Sequence, residues 1–161
     1  MGIPIDSPAD FTDDPLTRSI IGAAIAVHAA IGPGLLESAY QVCLCHEIGK
    51  RGHLCMREVA LPVQYDGIKI DCGYRLDMVV DDAVIIEIKC VEKIAPIHEA
   101  QLLTYLKLSG ISRGLILNFN VDLMKNGILR RTLTRRSSLH SSLNSAPSAT
   151  CLLYTSDAAD E

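Results

Sequence analysis

The chain has 161 residues, 48% of them hydrophobic, and a formal net charge of −4 at neutral pH. That length fits one domain, and runs rich in Leu, Ile and Val supply a core, which excludes a disordered chain. The charge excludes a globally basic nucleic-acid binder but not a local positive cleft, and no apolar run approaches the length of a membrane span.

The start, MGIPIDSPADFTDD, is acidic and broken by prolines. It has the pattern of neither a signal nor a transit peptide, so residues 1–13 read as a flexible leader. Without a secretory signal, the six cysteines fit reduced thiols in a cytoplasm. A domain is expected over residues 14–136. Asp14-Pro15 is a helix start, with Asp as N-cap and Pro at the first helical position. Ile20, Ala24, Val27 and Ile31 then form one apolar stripe of an amphipathic helix. Gly32-Pro33-Gly34 ends it and permits a sharp redirection. A second helix is expected from Leu35 to Lys50, with Leu36, Ala39, Cys43 and Leu44 toward the core and Glu37 and Tyr40 on an adjacent stripe. Glu37 lies in its first turn, where a carboxylate suits the helix dipole.

From Arg57 the period becomes two. Val59, Leu61, Val63 and Tyr65 alternate, Asp66-Gly67 is a hairpin turn, and Ile68, Ile70, Cys72, Tyr74 and Leu76 continue on the return strand. Pro62 cannot donate to a ladder, which puts the 57–65 strand at an edge. A second hairpin is expected in GYRLDMVVDDAVIIEIK, residues 73–89, around Asp81-Asp82. Three charges stand in it where a buried strand should have none: Asp77, Glu87 and Lys89. Glu87 and Lys89 share a face. If the loop is residues 81–83, Asp77 lies opposite Glu87 on that face; a two-residue loop would separate them. Facing carboxylates repel and cost several kcal/mol to bury unpaired, whereas a divalent cation between them, Mg²⁺ or Mn²⁺ with water in the other positions, removes the difficulty. The alternative is that Lys89 forms salt bridges with both acids in a half-exposed strand.

The strand from Val84 to Cys90 is apolar on both faces, so helices should cover both sides of the sheet. A third helix is expected over Ile97–Leu108, with Leu102, Leu103 and Leu106 inward and His98, Gln101 and Tyr105 on a separate polar-tipped stripe. Arg113–Phe119 reads as a buried strand, residues 120–127 as a loop, and Ile128–Leu133 as a short last strand. Residues 137–161 read as a disordered tail. Its last eleven residues, CLLYTSDAADE, resemble a translated sequencing adapter and are set aside from fold reasoning. The expected class is α/β, a mixed sheet between helical layers.

This order of elements and the charged hairpin resemble the PD-(D/E)XK nuclease superfamily. Within it the chain resembles the GxxExxY family, whose motif stands here as Gly34, Glu37 and Tyr40 in GLLESAY. The match covers roughly residues 17–131, with further matching segments VHAAIGPG, GYRLDMVV, IIEIKC, HEAQLLTYLKLSG and GLILNF. The resemblance implies a restriction-endonuclease-like core (αβββαβ) and metal-dependent hydrolysis of phosphodiester bonds in nucleic acid, with DNA the expected substrate. A chain this small often needs a second copy to hold a duplex, so a homodimer is compatible with this reading.

The resemblance also implies roles. Asp77, Glu87 and the Ile88 carbonyl would hold Mg²⁺ or Mn²⁺, and Glu37 a second metal or its water. Lys89 would orient the attacking water or stabilise charge on the phosphate. Gln101 would contact substrate or the lysine, one turn before Tyr105. Tyr40 and His98 are further substrate-binding candidates, although His98 also suits a plain helix-surface role and His28 suits packing. Arg75 would clamp a phosphate or pair with Asp77 or Glu87. The same fold could instead serve, without catalysis, as a nucleic-acid-binding or assembly module. Arg130, Arg131, Arg135 and Arg136 would touch a nucleic-acid backbone or stay solvated. Cys43, Cys45, His46, His53 and Cys55 do not suit zinc, because a helical C-x-C splays its sulfurs and no C-x-x-C occurs.

Overall fold

Helix α1 spans Pro15–Ile31. Its first turn is closed by Asp14, whose Oδ2 accepts from the Thr17 N–H at 2.9 Å and from the Thr17 hydroxyl at 2.7 Å. Ile20, Ala23, Ala24 and Val27 face the core, while Ile31, expected on that stripe, is exposed where the chain turns away at Gly32. The computed structural model describes residues 14–71 and 73–134. The expected leader, the tail, Cys72, Arg135 and Arg136 lie outside the described residues.

Helix α2 spans Glu37–Lys50 and buries Tyr40, Gln41, Leu44 and Ile48. This corrects the expected stripe: Leu36 is 78% exposed, and Cys43 is only partly buried. One residue of offset turns a helix by about 100°, and the Gly32–Gly34 turn, which sets the starting phase, carries no periodicity to read.

The strands are β1 Cys55–Ala60, β2 Val63–Tyr65, β3 Ile68–Ile70, β4 Arg75–Val80, β5 Val84–Lys89, β6 Arg113–Asn118 and β7 Ile128–Thr132, with α3 Pro96–Ser109 between β5 and β6. The main sheet runs β1-β4-β5-β6-β7, and β5 pairs with β6 in parallel while the other pairs are antiparallel. β1 is an edge strand, and Pro62 falls beyond its end, in the break before β2. The expected continuous 57–76 hairpin is interrupted. β2 and β3 form their own ribbon with Val63 opposite Ile70, whereas in the main sheet Val59 stands opposite Leu76. Residues 61–62 lie on one side of the break and residues 71–74 on the other, so the register shifts by an even number and the alternation of faces survives.

α1 and α2 pack on one face of the sheet against Met78, Val80, Ile86, Ile88 and Leu115. α3 packs on the other with Leu102 and Leu106 against Val79, Ile85 and Ile116. Gly114 permits that approach: a Cβ there would lie 2.7 Å from Leu102 Cδ1. The expected loop 120–127 contains one turn of 3₁₀ helix, Met124–Gly127. No helix among the described residues is long and apolar enough to cross a membrane.

Candidate active site

The β4–β5 hairpin closes through residues 81–83. Asp81 and Asp82 take positive φ (50° and 52°), which Asp tolerates better than most residues. Asp81 Oδ1 accepts from the Leu54 N–H at 2.8 Å, and Oδ2 lies 2.8 Å from His53 Nδ1. The ladder pairs Val80 with Val84, Val79 with Ile85 and Met78 with Ile86. This is the register of the three-residue loop, and it carries Asp77 and Glu87 to the α3 side of the sheet. The strands then part. The Ile88 N–H donates to Asp77 Oδ2 at 2.9 Å, and the Asp77 N–H reaches Glu87 Oε1 at 3.5 Å. Backbone N–H and C=O of one extended residue point the same way, so the Ile88 carbonyl faces the gap beside Asp77.

The electrostatics follow from burial. Glu87 is only 2% exposed. Burial, then the Asp77 charge, push its carboxyl up to about 8, against the opposing pull of Lys89. Burial also pushes Asp77 above the ordinary carboxylate range; the Ile88 N–H and Lys89 oppose this, while Glu37 and Glu58 add to it. Lys89 Nζ lies 3.7 Å from Glu87 Oε2 and donates to Gln101 Oε1 at 3.3 Å. Gln101 Nε2 in turn donates to the Tyr105 hydroxyl at 2.8 Å. Two bonds therefore fix the amide of Gln101, and α3 holds the Lys89 ammonium beside the carboxylates. Burial raises the Tyr105 hydroxyl above its usual range.

Gly34, Glu37 and Tyr40 prove to be a positioning device. Gly34 has φ +109°, open to glycine alone without strain. The Tyr40 hydroxyl donates to the Gly32 carbonyl at 2.5 Å and accepts from the Leu35 N–H at 3.2 Å, while its ring stacks on Phe119 with centroids 4.3 Å apart. The turn so fastened delivers Glu37, first residue of α2, to the end of β5, where its Oε1 accepts from the Cys90 N–H at 3.1 Å. Tyr40 is fully buried, which corrects its expected place among substrate contacts. Tyr40→Phe is expected to cost about 1–2 kcal/mol in urea denaturation and to leave oligonucleotide affinity unchanged. Weaker binding at undiminished stability would restore it as a substrate contact.

Other candidates stand further off. Arg75 is exposed and its guanidinium donates to the Glu58 carbonyl at 3.1 Å; among the described residues it forms no ion pair with Asp77 or Glu87. His98 Nδ1 accepts from the Ala95 N–H at 3.0 Å, so it caps α3. His28 is buried with Nε2 2.8 Å from the Val121 carbonyl oxygen, tying α1 to the segment after β6. Arg131 is held by Glu99 at 2.5 Å. Cys45 donates to the Cys55 carbonyl at 3.4 Å, and both thiols are free.

Two residues escaped the sequence reading. Glu58 lies between the pairs Arg57–Met78 and Val59–Leu76, hence opposite Asp77, at φ +53°. Nothing local signals it, because its place depends on the β1–β4 register. Asn118 is buried; its Oδ1 accepts from the Val91 and Asn120 N–H groups and its Nδ2 donates to the Val91 carbonyl at 2.8 Å. It ties the end of β6 to the segment leaving Lys89. A lone Asn closing the apolar run GLILNF was the available signal.

Glu87 is buried and Asp77 half-buried beside one ammonium; with both ionised they carry excess negative charge, which a divalent cation in place of the Glu87 proton would offset. Among the described residues no three His, Cys, Asp or Glu side chains gather as a ligand cluster. The donors on offer are two carboxylates and a backbone carbonyl, an all-oxygen set that suits Mg²⁺, which keeps several waters. A family model described as the PD-(D/E)XK nuclease superfamily matches residues 14–131. No curated protein and no solved structure matches the chain at a significant level.

Proposed function

Because the chain belongs to the PD-(D/E)XK nuclease superfamily, we propose that it is a divalent-metal-dependent nuclease of the GxxExxY kind, hydrolysing phosphodiester bonds in DNA. The observation that carries this reading is the buried Glu87 beside the half-buried Asp77, with Lys89 Nζ 3.7 Å from Glu87. Asp77, Glu87 and the Ile88 carbonyl would hold Mg²⁺ or Mn²⁺, with Glu37 near enough to act on Asp77 through its charge. The bound cation supplies Lewis-acid polarisation of the phosphoryl oxygen and acidifies water.

The chain's own residues do the rest. Lys89 presents its ammonium where negative charge grows on the phosphoryl group as water adds to phosphorus and the ester oxygen leaves. Gln101 and Tyr105 keep that ammonium from turning back onto Glu87 alone. Arg75, exposed at the start of β4, is available to a flanking phosphate.

The full chain, incubated with supercoiled plasmid, should nick it in Mg²⁺ or Mn²⁺, stop in chelator, and lose activity by roughly a thousandfold in Asp77→Ala. Binding without cleavage in every divalent metal tried would favour the non-catalytic nucleic-acid-binding module instead. A Mn²⁺-soaked crystal with anomalous signal away from Asp77 and Glu87 would remove the proposed ligands.

A further inference from the structure

α3 has a second apolar face beside the one that packs on the sheet. Ile97, Gln101, Thr104 and Leu108 follow at helical spacing and, with Val63 and Tyr74 on the opposite wall, line a cavity of about 380 Å³. Its rim is apolar and open: Ile97 is 70% exposed and Tyr74 51% exposed. No Asp, Glu, Lys or Arg lines it. Yet it runs into the charged site, because Gln101 and Tyr105 belong to both: Gln101 bonds Lys89 on one side and lines the cavity on the other.

A ligand that fills both places is therefore flat and neutral at one end and anionic at the other. The volume lies at the small end of ligand pockets, about 300–1,000 Å³, which suits a ring system rather than a packed helix. Tyr74 offers an aromatic face, and the Gln101 amide and the Thr104 and tyrosine hydroxyls stand among the apolar groups. Stacking on an aromatic ring is how proteins hold unpaired bases of any sequence.

The geometry points to a nucleobase subsite: the cavity between α3 and Tyr74 takes the base next to the phosphate that Lys89 faces, beside the carboxylates Asp77 and Glu87 that would hold the cation. This rests on the nuclease reading and deepens it. A base in this cavity is out of its stack. The substrate is accordingly a single-stranded or frayed segment, and an intact duplex is a poor one.

The test is fluorescence anisotropy of the full chain with a labelled single-stranded DNA oligonucleotide, its duplex form, and the same strand bearing one abasic nucleotide. Ca²⁺ replaces Mg²⁺ so that nothing is cut. The variants are Tyr74→Ala, which removes the stacking face, and Thr104→Trp, which fills the cavity from an exposed helix position. The wild type should bind the single strand more tightly than the duplex. Each variant should weaken the single strand roughly tenfold, and the abasic strand should bind wild type and variants alike. Unchanged single-strand affinity in Thr104→Trp overturns the subsite, as does equal weakening toward all three probes. A shift of Thr104→Trp to a smaller species in size-exclusion chromatography also overturns it, since the cavity would then seat a second copy. The nuclease reading fails separately: neither single-stranded DNA nor supercoiled plasmid cut by wild type in Mg²⁺ and Mn²⁺, whatever the anisotropy shows.

Discussion

Glu87→Gln is expected to make the metal-free protein more stable at pH 8 and at the same time to abolish cleavage. The folded state keeps a proton on Glu87 between its ordinary value of 4.5 and about 8, a range in which the unfolded chain has already released it. The folded state thus binds more protons there, and stability falls as pH rises through that window, by about 1.4 kcal/mol per pH unit for one group. Gln has no proton to lose, so this contribution to the slope disappears. The long contact from the Asp77 N–H survives, because the amide keeps an acceptor oxygen. Thermal melts in chelator at pH 5 and pH 8 should show a falling midpoint for wild type and a flatter profile for the variant, several degrees higher at pH 8. Added Mn²⁺ should lift wild type at pH 8, by about 2.7 kcal/mol at a hundredfold excess over its dissociation constant, and leave Glu87→Gln nearly unmoved. Equal pH slopes for both proteins would mean that Glu87 is not the stressed group.

The second large effect is expected from Lys89→Met, which retains the apolar stem and deletes the charge. Turnover should fall roughly 10²–10³-fold, about 3–4 kcal/mol in the barrier, with the affinity for DNA in Ca²⁺ changed far less. A loss confined to kcat separates charge stabilisation during reaction from a mere salt bridge. Removing the nearest cation also leaves Glu87 with less to oppose its burial, so the metal-free variant should melt below wild type at pH 8 and match it near pH 5. A variant that binds DNA as weakly as it cleaves would place Lys89 in ground-state binding only.

How much of this was legible in the sequence depended on range. The Asp77–Glu87 juxtaposition could be read because loop length alone sets it, and Asp81-Asp82 mark a turn that accepts positive φ. The stripe of His98, Gln101 and Tyr105 could be read because helical spacing is local, although His98 spends its Nδ1 on the helix end. Tyr40 was misplaced for a physical reason: a phenol satisfies an apolar wall and a backbone turn at once, and nothing in its neighbours says which of its ends matters. The interruption at Pro62 hid because an even register shift leaves the alternation intact. Glu58 stayed invisible because strand partners far apart in the chain decide what faces it.

The two borders of the main sheet differ from open strand edges. Along β1, Glu58 twists out of extended geometry in mid-strand, and β7 carries Arg130 and Arg131 side by side. Kinks and basic side chains of this kind deter one sheet from growing onto another. Any pairing of two copies would accordingly be made through side chains or helices, leaving each sheet five strands wide, and crowding in a cell would not string these molecules into fibrils by their borders.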